Sequence, residues 1–360
     1  MPAAESTGGP VLLSTLTTIG LGGPATRLIT VCSADDVAEA LRDPDAEGAL
    51  VIGGGSNLIV ADAGLTVPVV RVAIPGLRYG ERAAGPDGST ELTVGAGENW
   101  DDVVAAVVGD GFTGIETLSG IPGYAGATPI QNVGAYGTEI SSVLADVTVY
   151  DRMALVHRTL PPGDLALGYR TSVLRGTDSA VVTGIRLRLG REPRPVRYAE
   201  LARTLGVEIG TPVPPDAVRD AVLDLRRDKG MVIDPDDPDT RSAGSFFTNP
   251  ILRGPELAAA RAAIERRLGA EARCPTYPAQ DGSKLSAAWL IERAGFGKGY
   301  ALPGSGAAVS GKHSLALTNR GGATTDELLA LARTIRRGVL EAFSVALEPE
   351  PVLVGVVLGD

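Results

Sequence analysis

Between Ala243 and Pro250 the chain reads Ala-Gly-Ser-Phe-Phe-Thr-Asn-Pro. A hydroxyl, Ser245, and a carboxamide, Asn249, flank two of the chain's five Phe. No histidine stands near Ser245 in sequence. A Ser-His-Asp nucleophile is therefore not expected, and a hydroxyl that gives up a proton is the better reading. The plainer alternative is an aromatic strand end followed by a turn. Gly168-Tyr169-Arg170-Thr171 sets an aromatic ring beside a guanidinium. Arg170 can grip a carboxylate with two parallel hydrogen bonds, or can sit in an ordinary loop ion pair. Lys229, in Asp228-Lys229-Gly230-Met231, closes a predicted helix, where a cation is favoured in any case. Glu350 lies in Glu348-Pro349-Glu350-Pro351, and carboxylates between prolines are ordinarily just solvated.

Two glycine-rich stretches suggest a ligand held by backbone. Gly53-Gly54-Gly55-Ser56-Asn57 follows an apolar run, Ala49–Ile52. Glycines let the chain approach a ligand closely, and successive N–H groups make an anion-binding nest suited to a diphosphate. A ligand-free tight turn has the same composition. Leu118–Gly137 (LSGIPGYAGATPIQNVGAYG) holds five Gly and two Pro with no period of 2 or 3.6. Each glycine costs chain entropy on folding, so the segment reads as backbone wrapped around a cofactor, with Gln131 and Asn132 offering amides. The alternative is an Ω-loop. Together the two loops suggest a dinucleotide. Gly20-Leu21-Gly22-Gly23-Pro24-Ala25 fits G-x-G-x-x-A but precedes a strand, Arg27–Val31, instead of opening a helix, so a Rossmann reading is discounted.

Composition narrows the partners. The chain has 360 residues, enough for two or three domains, with 44% hydrophobic and 21% charged residues. A net charge of −10 argues against nucleic-acid or anionic-membrane surfaces. No apolar run nears the roughly 18 residues of a spanning helix, and Met1–Pro10 lacks the features of a signal peptide. Only two His (His157, His313) and two Cys (Cys32, Cys274) occur. That excludes a His-rich metal site and a disulfide framework, no metal is expected, and a reducing cytoplasm fits. The four lysines, Lys229, Lys284, Lys298 and Lys312, all fall late in an otherwise Arg-using chain. This hints at an anionic ligand there.

The elements that must position these residues are mixed. Helices are expected over Asp35–Leu41 (capped by Ser33), Asp101–Val108, Pro215–Arg227, Glu256–Leu268 and Asp326–Ala342. Thr66–Ile74 is β-rich, the alternation of Ile185, Leu187 and Leu189 with Arg186 and Arg188 marks a half-buried strand, and Val352–Val357 is a strand candidate. Gly76–Thr90 reads as loop with a turn at Gly85–Gly88. Met231–Thr240, with four Asp and two Pro, reads as a hinge or linker. Boundaries near 75 and 235 and uneven alternation of strands and helices favour an α+β fold.

Taken in order, GGGSN at 53–57, SGIPGYAGATPIQNVGAYG at 119–137, GYRTSV at 168–173, DKGM at 228–231, AGSFFTNP at 243–250, KLSAAWLIERAGF at 284–296 and LEPE at 347–350 resemble the UDP-N-acetylenolpyruvoylglucosamine reductase family across nearly the whole chain. The resemblance implies an α+β protein with a vanillyl-alcohol-oxidase-like FAD-binding unit of two lobes, residues 1–75 and 76–235. A UDP-sugar-binding domain would follow at 236–344, and the segment 345–360 would return near the active site. It implies FAD as cofactor, NADPH as reductant and UDP-N-acetylglucosamine enolpyruvate as substrate, in a cytoplasmic monomer of peptidoglycan precursor synthesis. The catalytic trio falls on Arg170, Ser245 and Glu350. FAD contacts fall on Gly53, Gly54, Gly55, Ser56, Asn57, Ile121, Pro122, Gly123, Thr128, Gln131, Asn132, Gly134, Ala135 and Tyr136. Substrate contacts fall on Lys229, Asn249, Tyr277, Lys284, Lys298 and His313, and on Tyr198, which marks the longer subclass whose tyrosine closes over the substrate. Two departures stand out: Thr171 follows Tyr-Arg where the family usually has Asp, and Pro351 follows Glu350, restricting its backbone.

Two other readings share parts of this pattern. Another FAD-dependent oxidoreductase of the same fold would share residues 49–137, but would have no reason to contain AGSFFTNP. A non-catalytic UDP-sugar-binding protein would keep the fold and be colourless.

Overall fold

Ser33 accepts a hydrogen bond from the Asp36 N–H (3.1 Å) and so caps the first helix, α1, Ala34–Arg42. Asn99 does the same for α2, Trp100–Gly109, accepting from Asp101 and Asp102. Short α3 (Ala199–Leu205) and α4 (Pro215–Asp228) follow, the latter begun by proline as expected. The computed structural model describes residues 5–6, 10–80, 88–279 and 282–359.

Two sheets carry this first part of the chain. In one, strands Leu28–Val31 and Leu50–Ile52 run parallel to Val69–Val72 between them. The other is antiparallel, in the order Val156–Leu160, Leu144–Asp151, Ala180–Leu189, Thr90–Gly95, Leu77–Tyr79. The predicted alternation holds: Ile185, Leu187 and Leu189 are buried, while Arg186 turns to Asp146 (2.8 Å) and Glu91 (2.9 Å). The stretch Gly76–Thr90, expected as loop, instead contributes the edge strand Leu77–Tyr79. This strand pairs antiparallel with Thr90–Gly95, a partner that periodicity over three residues does not reveal, and Tyr79 stacks on Phe112. Most of the expected turn Gly85–Gly88 lies outside the described residues. Ile29, Val31 and Val70 of the first sheet share one core with Leu92, Ile185 and Trp100. A separate small cluster, Val196, Leu201, Ala202, Val213, Val218, Ala221 and Val222, forms around α3 and α4.

The chain divides into two units. The first comprises residues 1–11, 25–55 and 65–228; the second takes 12–24, 56–64 and 229–360. The second unit holds helices α5 (Gly254–Leu268), α6 (Ala287–Ala294) and α7 (Thr325–Phe343). Helix α7 opens with a capping box between Thr324 and Glu327. Its Thr325 hydroxyl donates to the Val60 carbonyl (2.6 Å), and Thr325 N–H to Asp62 (2.9 Å). Strand Val352–Val354 runs parallel to Leu58–Val60. Two three-stranded antiparallel sheets complete the unit: Ser242–Ser245, Ala316–Asn319, Ala307–Val309, and Ile251–Leu252, Gly282–Leu285, Thr276–Ala279. The fold is α+β.

Met231–Thr240 is more built than a linker. The Thr240 hydroxyl donates to the carbonyls of Asp234 (2.7 Å) and Asp237 (2.8 Å), and Asp239 is buried. Its acidic side chains brace the segment 310–313: Asp239 accepts from Gly311 N–H (2.8 Å) and Asp237 from Lys312 Nζ (2.6 Å).

Candidate active site

In the first unit the two glycine loops meet. A Cβ on Gly54 would stand 2.9 Å from the Cα of Gly123 and 3.1 Å from the Tyr124 ring, so only glycine fits. Tyr124 is anchored from the sheet, where the Arg71 guanidinium donates to its hydroxyl. The Thr117 hydroxyl, one residue before the second loop, is buried with no hydrogen-bond partner among the described residues. A buried hydroxyl without a partner costs free energy unless a ligand satisfies it. Close-packed backbone, positive φ at Gly55 (64°), Gly120 (69°) and Gly123 (111°), and this hydroxyl fit a phosphate-bearing dinucleotide held mainly by backbone.

The loop's polar residues divide in role. Asn132 is buried in the left-handed region (φ 44°). Its amide donates to Glu139 (2.9 Å) and to the Gly168 carbonyl (3.0 Å), and its oxygen accepts from Ser141 N–H (3.1 Å). Asn132 thus ties the loop to the Gly168 turn with its side chain, leaving backbone for a ligand. Thr128 likewise spends its hydroxyl on Ala125 O (2.7 Å), and Gln131 is buried. Ile121, Pro122, Gly134 and Ala135 are partly accessible parts of the same loop.

Arg170 occupies a two-residue turn closed by Gly168 and Thr171, whose backbones exchange hydrogen bonds of 3.1 and 3.3 Å. Its φ of 54° is unusual for a long side chain. The guanidinium donates to Gly134 O (2.8 Å) and packs over the Tyr169 ring, so it is aimed along the glycine loop. Thr171 closes this turn through its backbone N–H and carbonyl. Tyr136, at φ 48°, meets Tyr198 edge to face with centroids 5.5 Å apart. Burial pushes its phenol up to about 12, with the buried Arg226 charge working against that rise.

Asp101 supports the loop from α2. It accepts Gly120 N–H (2.6 Å) and both ends of the Arg219 fork (2.6 and 3.1 Å). Burial pushes its carboxyl up, but the Arg219 and Gly120 hydrogen bonds and the Arg219 and Arg226 charges hold it below 3.8.

In the second unit, Ser245 ends a strand that bulges against Ala316–Asn319. Gly244, just before it, has φ 74°, a conformation that needs glycine. Phe246 and Phe247 are both buried, edge to face at 5.0 Å, and anchor the segment in the core. Glu350 is bound to the same segment. Its N–H donates to Phe246 O (2.9 Å), Thr248 N–H donates to Glu348 O (3.0 Å), and Phe247 pairs with Pro349. Asn57 closes the other side: its carbonyl accepts from Val352 N–H (2.9 Å) and its amide reaches Glu350 O (3.4 Å). Pro351 thus falls between two bonded residues, and its missing N–H interrupts no rung. Ser56 and Asn57 belong to this unit, whereas Gly53, Gly54 and Gly55 belong to the first.

Asn249 accepts from Ala287 N–H (2.9 Å) at the start of α6. Tyr277 and Lys284 are directly opposite partners across two strands, and so share a face. His313 lies in a turn with Ala316, the residue paired with Ser245. Lys229 opens the second unit directly after α4, and Lys298 is exposed beyond α6. The sequence reading missed Thr117, Arg71, Asp101, Asp237 and Asp239. Asp237 and Asp239 stand in the Asp- and Pro-rich stretch read as a linker and the other three in no biased motif, and the contacts of Arg71, Asp101, Asp237 and Asp239 join residues far apart in the chain. Among the described residues no group of His, Cys, Asp and Glu is placed to hold a metal, and no helix is long and apolar enough to cross a membrane.

Comparison with known proteins places these features in context. A family described as "UDP-N-acetylenolpyruvoylglucosamine reductase, C-terminal domain" matches residues 236–354, and "FAD binding domain" matches residues 25–159. The UDP-N-acetylenolpyruvoylglucosamine reductase of Saccharopolyspora erythraea is 55% identical over 99% of this chain and 97% of its own. That of Thermobifida fusca is 54% identical over 97% of this chain and 98% of its own. The crystal structure of the Thermus caldophilus UDP-N-acetylenolpyruvylglucosamine reductase aligns over 98% of both chains, with a TM-score of 0.64 at 26% identity.

Proposed function

The chain belongs to the UDP-N-acetylenolpyruvoylglucosamine reductase family, and from that premise we infer that it is the FAD-dependent enzyme that reduces UDP-N-acetylglucosamine enolpyruvate to UDP-N-acetylmuramate with NADPH, in peptidoglycan precursor synthesis. The observation that carries the reading is the pairing of Ser245's segment with Glu350's, beside full-length similarity to these reductases. The loops at 53–57 and 117–136 would hold the FAD, chiefly through backbone N–H groups. When bound, FAD supplies the hydride it has received from NADPH.

The chain's own residues handle charge and proton. Gain of hydride at the enolpyruvyl methylene develops negative charge on the α-carbon, which spreads into the carboxylate. Arg170, with its turn fixed at Gly168 and Thr171, is suited to stabilise that carboxylate as the charge grows. The α-carbon must then gain a proton, and the Ser245 hydroxyl is the donor. A hydroxyl is a weak acid in water, so Glu350, held to the neighbouring residue Phe246, is assigned to tune and restore its proton. Asn249, Tyr277, Lys284, Lys298, Lys229 and His313 are assigned to the UDP-sugar, the lysines to its phosphates. Tyr198 is assigned to close over it, as in the longer subclass. We assign residues 1–75 and 76–235 as FAD-binding lobes and 236–344 as the sugar domain of a cytoplasmic monomer.

Incubation of the purified holoenzyme with NADPH and UDP-N-acetylglucosamine enolpyruvate tests the reading. The expected product is heavier than the substrate by two hydrogens, with one NADPH consumed per product. A yellow protein that oxidises NADPH without altering the UDP-sugar would favour another FAD-dependent oxidoreductase. A colourless one would favour a non-catalytic UDP-sugar binder.

A further inference from the structure

Tyr136 has two features its place in the glycine-rich loop does not explain. Its backbone is left-handed (φ 48°), which bulky residues rarely adopt and which must be held by its surroundings. Its ring packs against the small cluster of Val196, Leu201, Ala202 and Val222 as well as meeting Tyr198 at 89°. The next residue, Gly137, also has positive φ (87°), and a Cβ there would stand 3.5 Å from the Arg197 Cβ and 3.9 Å from the Tyr198 Cβ. The loop's last turn is therefore fitted against residues 196–198. Tyr198 itself stands at the N-cap of α3 with an extended backbone (φ −108°, ψ 123°) and is 36% exposed. Helix α3 is short, and its buried Leu201 and Ala202 belong to that same cluster.

We propose that Tyr136 is a positioning residue for Tyr198: its ring fixes the plane in which Tyr198 meets the UDP-sugar. This rests on the assignment of Tyr198 as the substrate-closing residue. Edge-to-face contact favours one perpendicular arrangement over the many rotamers open to a surface tyrosine. Ordering Tyr198 before substrate arrives removes an entropy cost from binding. The packing of the Tyr136 ring on that cluster, and of Gly137 against Arg197 and Tyr198, holds the strained backbone and with it the seat. The loop's own contribution to the cofactor is then its backbone.

The test is titration of the oxidised holoenzyme with UDP-N-acetylglucosamine enolpyruvate, followed by flavin absorbance. Tyr136→Leu is expected to raise Kd of the flavin-loaded enzyme roughly two- to tenfold, the span of one aromatic pair. Tyr136→Phe keeps the ring and is expected to restore wild-type Kd. In a Tyr198→Ala background Tyr136→Leu is expected to add no further loss, since its effect runs through Tyr198. An equal loss in both backgrounds would overturn the proposal. So would a Tyr136→Phe defect as large as that of Leu. Failure of the wild-type protein to bind the UDP-sugar would instead remove the functional reading beneath it.

Discussion

Arg170, Ser245 and Glu350 carry three different tasks in the proposed reaction. Arg170→Lys keeps a positive charge but loses the planar fork, so it is expected to cost about 2–4 kcal/mol in transition-state stabilisation, comparable to a removed oxyanion donor. Steady-state kcat/KM measures this, and near-normal activity would remove the carboxylate-clamp role. Ser245→Ala should leave flavin reduction by NADPH almost intact. Reoxidation by the enolpyruvyl substrate should slow by about 10²–10⁴, the usual scale of a positioned proton donor. Equal slowing of both half-reactions would make Ser245 a structural residue. Ser245 was legible as a candidate because an exposed-type hydroxyl stood among buried-type aromatics without a histidine. Its link to Glu350, about a hundred positions later, was not, because backbone pairing between Phe247 and Pro349 leaves no mark in residue type.

At the level of elements, glycine density does not tell which glycines the packing requires. Gly54 is the one pressed onto Gly123 (2.9 Å), so Gly54→Ala must push backbone against backbone. A loss of about 1–3 kcal/mol in stability is expected, together with reduced flavin content per protein, read by thermal unfolding and absorbance ratio. Gly53, whose Cβ would meet the Tyr124 side chain no closer than 3.6 Å, is a contrast within the same loop. Helix α2 makes a second prediction. The Asp101 carboxyl is held below 3.8 by Arg219, Gly120 and Arg226 despite burial. A depressed folded value means its contribution is complete above 3.8 and is lost as pH falls through the lower folded value. Asp101→Asn should therefore be less stable than wild type at neutral pH, and the gap should close below that value. Unfolding midpoints measured at several pH values check this, and a gap that persists in acid would assign the cost to geometry instead of charge. Five helices were legible because the Ser33 cap, the opening proline of α4 and apolar periodicity are local, whereas the short α3 and α6 were not read. Strand Leu77–Tyr79 was not, since three residues carry too little period and its partner Thr90–Gly95 decides it.

At the scale of the whole molecule, the mixed class and the motif order were readable, and full-length similarity to the reductases agrees with them. The course of the chain was not. Residues 12–24 and 56–64 join the C-terminal part to form one unit, because Leu58–Val60 pairs with Val352–Val354 and Thr325 bonds to Val60. Such long-range pairing is set by the packing of buried faces, which a linear pattern does not order. One protein accepts hydride from NADPH and delivers it to an enolpyruvyl ether. Anaerobic stopped-flow of the wild-type holoenzyme addresses this directly. Flavin absorbance should bleach on mixing with NADPH and return on mixing with UDP-N-acetylglucosamine enolpyruvate, but not with UDP-N-acetylglucosamine. Bleached flavin that stays reduced in the presence of the enolpyruvyl substrate would contradict the account.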